Sequence, residues 1–281
     1  MRLLVLNVVI NLLLKWINKF YYEEVCLKLL VYSVFTNAGS MVDELSHIKH
    51  KISCNNLFSF YDKSCVNNLD LIRDLSKNIL VDSGAFSLFN SSKKKVNFDK
   101  YLKQYMNFIG KADTPAVQGY FELDIDSLVG YDTVLDYRSN LLEVSDKIIP
   151  VWHKRLGVNE FKRMVNDFDY VAIGGIVSKE IKPEELPKFV KYAHNRGVKF
   201  HALGLTSPKW LDRVPFDSVD SLSWFRTRFG SQYYFKDGKV SYRKVSSKYL
   251  KDNYAKIDAY SYLNHIKFQE YYEDKWRNYT Y

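Results

Sequence analysis

A chain of 281 residues that is 47% hydrophobic can bury a sizeable core, which excludes a largely disordered protein. Its 16% aromatic content, with 22 Tyr against 12 Gly and 6 Pro, excludes collagen-like and linker-dominated chains. A formal charge of +9 attracts polyanions, while three cysteines (Cys26, Cys54 and Cys65) without CxxC spacing exclude a disulfide scaffold and a cysteine-based zinc site and point to a reducing, cytoplasmic compartment.

Met1 to Trp16 begins with a basic residue and an apolar run, but Asn7 and Asn11 interrupt the run and it is too short to cross a bilayer. Residues 1–28 therefore read as an N-terminal helical segment, with no membrane role. From there, short β-branched or aromatic runs alternate with polar segments of helical spacing. Eight strands are predicted: Leu29 to Thr36, Asn56 to Phe60, Ile79 to Ser83, Gly119 to Ile125, Lys147 to Trp152, Tyr170 to Ile176, Val198 to Leu205 and Phe216 to Leu222. Helices are predicted over 69–76, 98–109, 134–144, 159–167 and 183–195, the last with Pro183 at its start and Gly197 just past its end. Eight such units predict an α/β fold, a (β/α)8 TIM barrel over residues 29–230. Beyond it, Lys236-Asp237-Gly238-Lys239 between two aromatic runs is the signature of a β-hairpin. The spacing of Tyr254, Ile257, Tyr260, Leu263 and Ile266 predicts helix packed on the barrel, so residues 231–281 form a basic, tyrosine-rich C-terminal extension.

Five predicted strands run into polar or glycine-rich ends: Asp82-Ser83-Gly84, Asp124-Ile125-Asp126, Trp152-His153, Gly174-Gly175 and Gly204. Barrel enzymes build their sites at this rim, so Asp82, Asp124, Asp126, Asp217 and Asp220 are expected to converge on one cavity. Two carboxylates facing one anomeric carbon can exchange a group there with retention, one as nucleophile and one as acid/base. The rival reading is a metal-dependent phosphodiesterase. Asp124-x-Asp126 could ligate Mg²⁺, but no HxH or HExxH spacing accompanies it, and no metal is expected. His153 at the rim reads as a substrate contact, and His201 as a hydrogen-bonded residue turned into the barrel wall. Lys93, Lys94 and Lys95, close after the Asp82 motif, would hold a phosphate backbone without reading its sequence.

The motifs themselves carry a resemblance. Val81-Asp82-Ser83-Gly84-Ala85-Phe86-Ser87, Tyr170-Val-Ala-Ile-Gly174-Gly175-Ile176, His201-Ala-Leu203-Gly204-Leu205 and Asp217-Ser-Val-Asp220-Ser221 resemble, in order and spacing, four motifs of the tRNA-guanine transglycosylases, with Arg226 at the offset of that family's following Arg. The resemblance covers roughly residues 80 to 226. It departs where the tRNA enzymes carry a Cys-x-Cys-x-x-Cys plus His zinc subdomain, because no Cys follows Cys65 here. It departs also at Trp152-His153, where they have Gln-Gly, and at Ser87, where they have Gln. The zinc-free form looks more like the DpdA-type 7-deazaguanine DNA transglycosylases of phages and bacterial DNA-modification clusters.

That resemblance implies a glycosyltransferase that replaces guanine in DNA with a free 7-deazaguanine such as preQ0, in the host cytoplasm if phage-encoded, with no cofactor. It implies Asp220 as nucleophile on C1′ and Asp82 as acid/base. Asp124, with Asp126 not separable from it by strand parity, would accept hydrogen bonds from the purine. Phe86 would stack on the flipped base, Ser83, Gly174, Gly175 and His153 would line the pocket, and Leu203 would close its other side. Arg226 would join Lys93 to Lys95 on the backbone. A homodimer and an accessory protein that opens the duplex are compatible with this reading. The alternatives are exchange on tRNA and an idle nucleic-acid-binding barrel.

Overall fold

The structure, a computed structural model, describes residues 29–36, 38–46, 52–91 and 96–277. The segment 1–28, Lys93 to Lys95 and the side chain of Phe86 lie outside the described residues.

Nine parallel strands form the main sheet: β1 Leu30–Phe35, β2 Cys54–Ser59, β3 Ser76–Asp82, β4 Val117–Phe121, β5 Ile148–Ile149, β6 Val151–Trp152, β7 Tyr170–Ile173, β8 Lys199–Ala202 and β9 Ser218–Ser221. Their order is β5-β4-β3-β2-β1-β9-β8-β7-β6. The two ends of that list are halves of one extended segment, split at Pro150, whose ring removes the N–H that a ladder needs. The Pro150 carbonyl still accepts from Ala172 N at 2.9 Å. The predicted fifth strand is thus β5 and β6 together, and the sheet closes through it into a TIM barrel.

Helices Leu69–Leu75, Phe98–Ala112, Tyr131–Leu142, Gly157–Asp167 and Leu186–His194 match the predicted set. They surround the barrel and share a large apolar core with the outer strand faces. Inside the barrel a second cluster takes one residue from each of β1 to β7: Tyr32, Leu57, Leu80, Phe121, Ile149, Val151 and Ala172. These side chains fill the interior, so the barrel is a packed core with a chemical rim and no through-pore.

Several strands stop earlier than predicted. β4 ends at Phe121 rather than Ile125, β7 at Ile173 rather than Ile176, and β8 at Ala202 rather than Leu205. Apolarity continues past the ladder because Leu123, Ile125, Ile176 and Leu205 are buried in the core without strand pairing.

β10 Ser231–Lys236 and β11 Lys239–Lys244 form the predicted hairpin, with Asp237 (φ 51°) and Gly238 (φ 75°) both left-handed as a two-residue type I′ turn requires. The helix Tyr254–Trp276 then lies against β1 and β2 through polar groups. Ser33 Oγ meets His265 Nδ1 at 2.7 Å, Asn55 N donates to Gln269 Oε1 at 2.9 Å, and Asn55 Nδ2 donates to Glu273 Oε1 at 2.6 Å. Its buried face therefore includes Asp258, Ser261, His265 and Gln269, whereas Tyr254 and Tyr260 of the predicted apolar stripe face solvent. Cys54 and Cys65 are buried, and their Sγ atoms donate to Leu75 O and Phe35 O. No helix among the described residues is long and apolar enough to cross a membrane.

Candidate active site

Strand parity places the central carboxylates. In β3, Leu80 points inward, so Asp82, two residues on at the strand's C-terminal end, points into the barrel mouth. Its backbone corner is fixed: Tyr101 Oη donates to Ser83 O at 2.6 Å, and Tyr105 Oη reaches Val81 O at 3.3 Å and Phe121 O at 3.1 Å. Gly84 sits at φ 66°, where an added Cβ would collide with Ser59 Oγ and Tyr61 Cβ. Burial pushes the Asp82 carboxyl up to about 6, with the carboxylates of Asp124 and Asp220 adding to the rise and hydrogen bonds from Gly84 N and Ser59 opposing it.

Asp220 lies one residue before the end of β9 and is buried. Its Oδ1 accepts from Gly204 N at 2.8 Å and lies 3.1 Å from Nε2 of His201. His201 is fully buried inside the barrel, its Nδ1 2.6 Å from Ser218 Oγ, and Ser218 Oγ is in turn bonded to Tyr170 Oη. Burial raises the Tyr170 phenol far above its ordinary range, keeping it a donor. One orientation satisfies the chain: Tyr170 donates to Ser218, Ser218 to Nδ1, and Nε2–H to Asp220. Oδ2 of Asp220 takes no part in these bonds.

Across the mouth, His153 Nε2 lies 2.7 Å from Asp124 Oδ1 and its Nδ1 lies 3.2 Å from Glu180 Oε2. Burial works against the imidazolium, but the hydrogen bond and charge of Asp124 outweigh it and leave the His153 pKa raised. Gly174 lies against this ring; a Cβ there would sit 2.5 Å from His153 Cε1. Gly175, at φ 79°, turns the chain toward Glu180, whose N–H donates to Gly175 O at 2.8 Å.

The carboxylates thus gather as expected, with three corrections. Asp217 is at the opposite end of β9, where Oδ2 bonds His194 Nε2 and Phe200 N, each at 2.7 Å, because the spacing of three to Asp220 reverses strand face. Asp126 does not share a strand with Asp124: it opens the short helix Asp126–Val129, and Arg155 holds both of its oxygens. Ser83 is buried and donates to Glu122 O at 2.9 Å, away from any ligand. Leu203 is partly buried and packs on the interior cluster. Arg226 is half-buried and stacked over Tyr242, 4.8 Å from the ring centre, with no described contact to the carboxylates.

Sequence reasoning missed Glu180 and Arg155; it read His201 as hydrogen-bonded, which it is, but turned it into the barrel wall rather than the interior. The last was legible: His201 and Leu203 share parity, so placing Leu203 in the pocket places His201 inside too. Oxygen or nitrogen atoms of Asp124, Asp126 and His153 lie within 4.8 Å of one another, a spacing that suits a divalent cation. The Arg155 guanidinium already supplies positive charge there, bridging Asp126 and Glu180, and a metal would have to displace it.

No protein-family model matches the sequence, and neither does any curated protein. Among solved structures, a provisionally assigned fructose-1,6-biphosphate aldolase from Coccidioides immitis superposes with a TM-score of 0.53 at 8% identity, covering 88% of this chain and 91% of that one. The YdjI aldolase from Escherichia coli K12 gives 0.47 at 9% identity, over 85% of this chain and 90% of that one. At such identity the first likeness supports the barrel architecture and carries no chemistry.

Proposed function

We propose that this protein is a base-exchange glycosyltransferase that replaces guanine in DNA with a 7-deazaguanine through a covalent glycosyl-aspartate. The observation that carries the reading is the pair of unlike carboxylates at one barrel mouth: Asp82, held up to about 6 by burial and by its neighbours, and Asp220, pinned by one oxygen. In the first half-reaction Oδ2 of Asp220 attacks C1′, the C1′–N9 pair returns to the guanine, and Asp82 delivers a proton to the departing base. In the second, Asp82 takes the N9 proton of the incoming base, whose nitrogen attacks C1′ and releases Asp220. Protons balance over the cycle and no oxidant or reductant is needed.

Asp124, oriented by His153, supplies an acceptor for the amino and ring N–H groups of the purine. Gly174 lets the His153 ring pack directly on the backbone, since a Cβ there would sit 2.5 Å from Cε1. The resemblance to the 7-deazaguanine DNA transglycosylases supplies the substrate class, through Asp124, Trp152-His153 and the Asp217-Ser-Val-Asp220-Ser221 motif.

The test is incorporation of labelled preQ0 into single-stranded DNA, duplex DNA and tRNA at matched salt, read by mass spectrometry of the digested nucleosides. Label in DNA, and most in single strands where unstacking costs least, is expected. Label in tRNA alone would move the activity to tRNA, and label in none would sink the base-exchange reading.

A further inference from the structure

The chain's positive charge is concentrated in one stretch. Residues 226–251 contain eight Lys or Arg and a single acidic residue, Asp237, so these 26 residues carry +7 of the formal +9. The stretch covers the β10–β11 hairpin, the turn before it and the short helix Ser247–Asp252 after it up to Lys251; Asp252, the helix's last residue, lies just outside. Among the described residues, none of its eight basic side chains pairs with a carboxylate, whereas Arg138, Arg155, Arg163 and Lys147 elsewhere on the surface and in the core all do. Protecting the edge of a two-stranded sheet from aggregation needs one or two such charges, not eight.

Rings interleave with this charge, Phe229, Tyr242 and Tyr249 exposed and Tyr234 half-buried beside Tyr260. Tyr233 and Phe235 turn toward the helix Tyr254–Trp276, so β10 presents Tyr234 and Lys236 on its other face, opposite Ser241 and Lys239 of β11. Arg243 lies over the Tyr234 ring at 4.1 Å. At the rim end, Arg228 lies over Phe229 at 4.7 Å, and Phe229 is 61% exposed. Flat cation-aromatic pairs in a strongly basic field with Asp237 as its one acid are the surface that a single nucleic acid strand fits, phosphates on the charges and unpaired bases on the rings. A duplex keeps its base faces inside the stack and leaves those rings unused.

The location suits a strand that enters the barrel. β9 ends at Ser221, one residue past Asp220, and Arg226 follows within six residues of that carboxylate, a reach of about 20 Å at most. Trp224 Nε1 donates to Val34 O at 3.2 Å near the end of β1, so the connection leaves from the same mouth that holds Asp82 and Asp220. β10 then runs down the barrel's flank, with Tyr233 N bonded to Ser261 and Phe235 N to Asn264 of the last helix.

We propose that the 226–251 segment is a strand-holding surface that binds single-stranded DNA beside the barrel mouth. The inference rests on the proposed function for the choice of DNA as the polyanion, but strand binding is read without turnover, so the two fail separately.

The experiment is fluorescence anisotropy of a labelled single-stranded 20-mer with the full chain over a salt series, comparing wild type with Lys236→Glu/Lys239→Glu/Arg243→Glu and with Tyr234→Ser, all checked for unchanged melting. The triple variant is expected to bind at least tenfold more weakly, and its slope of log affinity against log salt to shallow by about two, since each phosphate on a single strand contributes about 0.7. Tyr234→Ser is expected to lose about tenfold with the slope unchanged, as stacking is insensitive to salt. No strand binding by wild type at low salt, or equal slopes for wild type and the triple variant, would overturn the proposal. Vesicles of 30% phosphatidylserine in phosphatidylcholine complete the test: retention that needs the three basic residues, while DNA affinity does not, would assign the surface to anionic lipid and overturn it equally.

Discussion

Asp82 and Asp220 are the same residue type in opposite circumstances, and their consequences separate by pH. The Asp82 carboxyl is pushed up to about 6 in the folded chain from its ordinary value of 3.8, so the folded state binds its proton more tightly than the unfolded state does. Stability linked to Asp82 is therefore full below 3.8 and is lost as pH rises through 6, by about 3 kcal/mol at most. Asp82→Asn is expected to melt higher than wild type at pH 8 and to lose that advantage by pH 4, measured by thermal unfolding at both. The same substitution is expected to slow base exchange by roughly 100- to 10,000-fold, and with it to vanish the basic limb of the kcat/KM profile near pH 6. Asp220→Ala is expected to abolish exchange with the fold intact, because the glycosyl-enzyme needs that carboxylate; a mutant with substantial turnover would exclude Asp220 as nucleophile. In the proposed exchange His201 acts through Asp220 as a positioning residue. His201→Ala should lower kcat by roughly 10- to 100-fold, the worth of one hydrogen bond to a charged group, with KM little changed, and His201→Gln should recover part of it because an amide N–H can still donate.

At the level of elements, the break at Pro150 is stabilised from β4. Glu122 lies just past Phe121 with its side chain outside the barrel, where Arg138 of the helix Tyr131–Leu142 grips it through Nε at 2.6 Å and Nη2 at 3.0 Å. Glu122 Oε1 also accepts from Val151 N at 2.7 Å, the first amide after the proline. Both side chains of the pair are buried, and burial raises the Glu122 pKa against the pull of Arg138. Arg138→Met would leave a buried carboxylate without its cation and is expected to cost about 3–5 kcal/mol in urea unfolding. Neither Glu122 nor Arg138 stands out in sequence, since one charged residue on a strand end and one on a helix have no local spacing that marks them as partners. The strands themselves were legible from β-branched and aromatic runs, and the hairpin from Asp-Gly. Their C-terminal ends were not, because Leu123, Ile125 and Ile176 look like strand residues yet are buried by packing alone. Asp126 was misplaced for that reason: parity counted along a strand that had already ended.

Over the whole molecule, charge that the composition reports only as a total has a place among the described residues, where the segment 226–251 on the last helix carries a net +7. Metal dependence is also a whole-molecule question. With Arg155 between Asp126 and Glu180, and with Cys54 and Cys65 buried against Leu75 O and Phe35 O, melting in EDTA is expected to match melting without it, and a drop of several degrees would reveal a metal in the Asp124, Asp126 and His153 cluster. Periodicity and strand-end chemistry by themselves determined the barrel, its hairpin, and Asp82, Asp124, Gly174, Gly175 and Asp220 as rim residues, because alternation of period two and turn-forming residues act over a few neighbours. Only the tertiary structure decided that His201 holds Asp220, that Arg155 and Glu180 close around His153, that Asp217 faces the other end, and that the last helix packs through polar groups on β1 and β2. Those are contacts between residues up to 236 apart in the chain, such as Ser33 with Gln269, and no local pattern encodes which distant side chain completes a buried hydrogen bond.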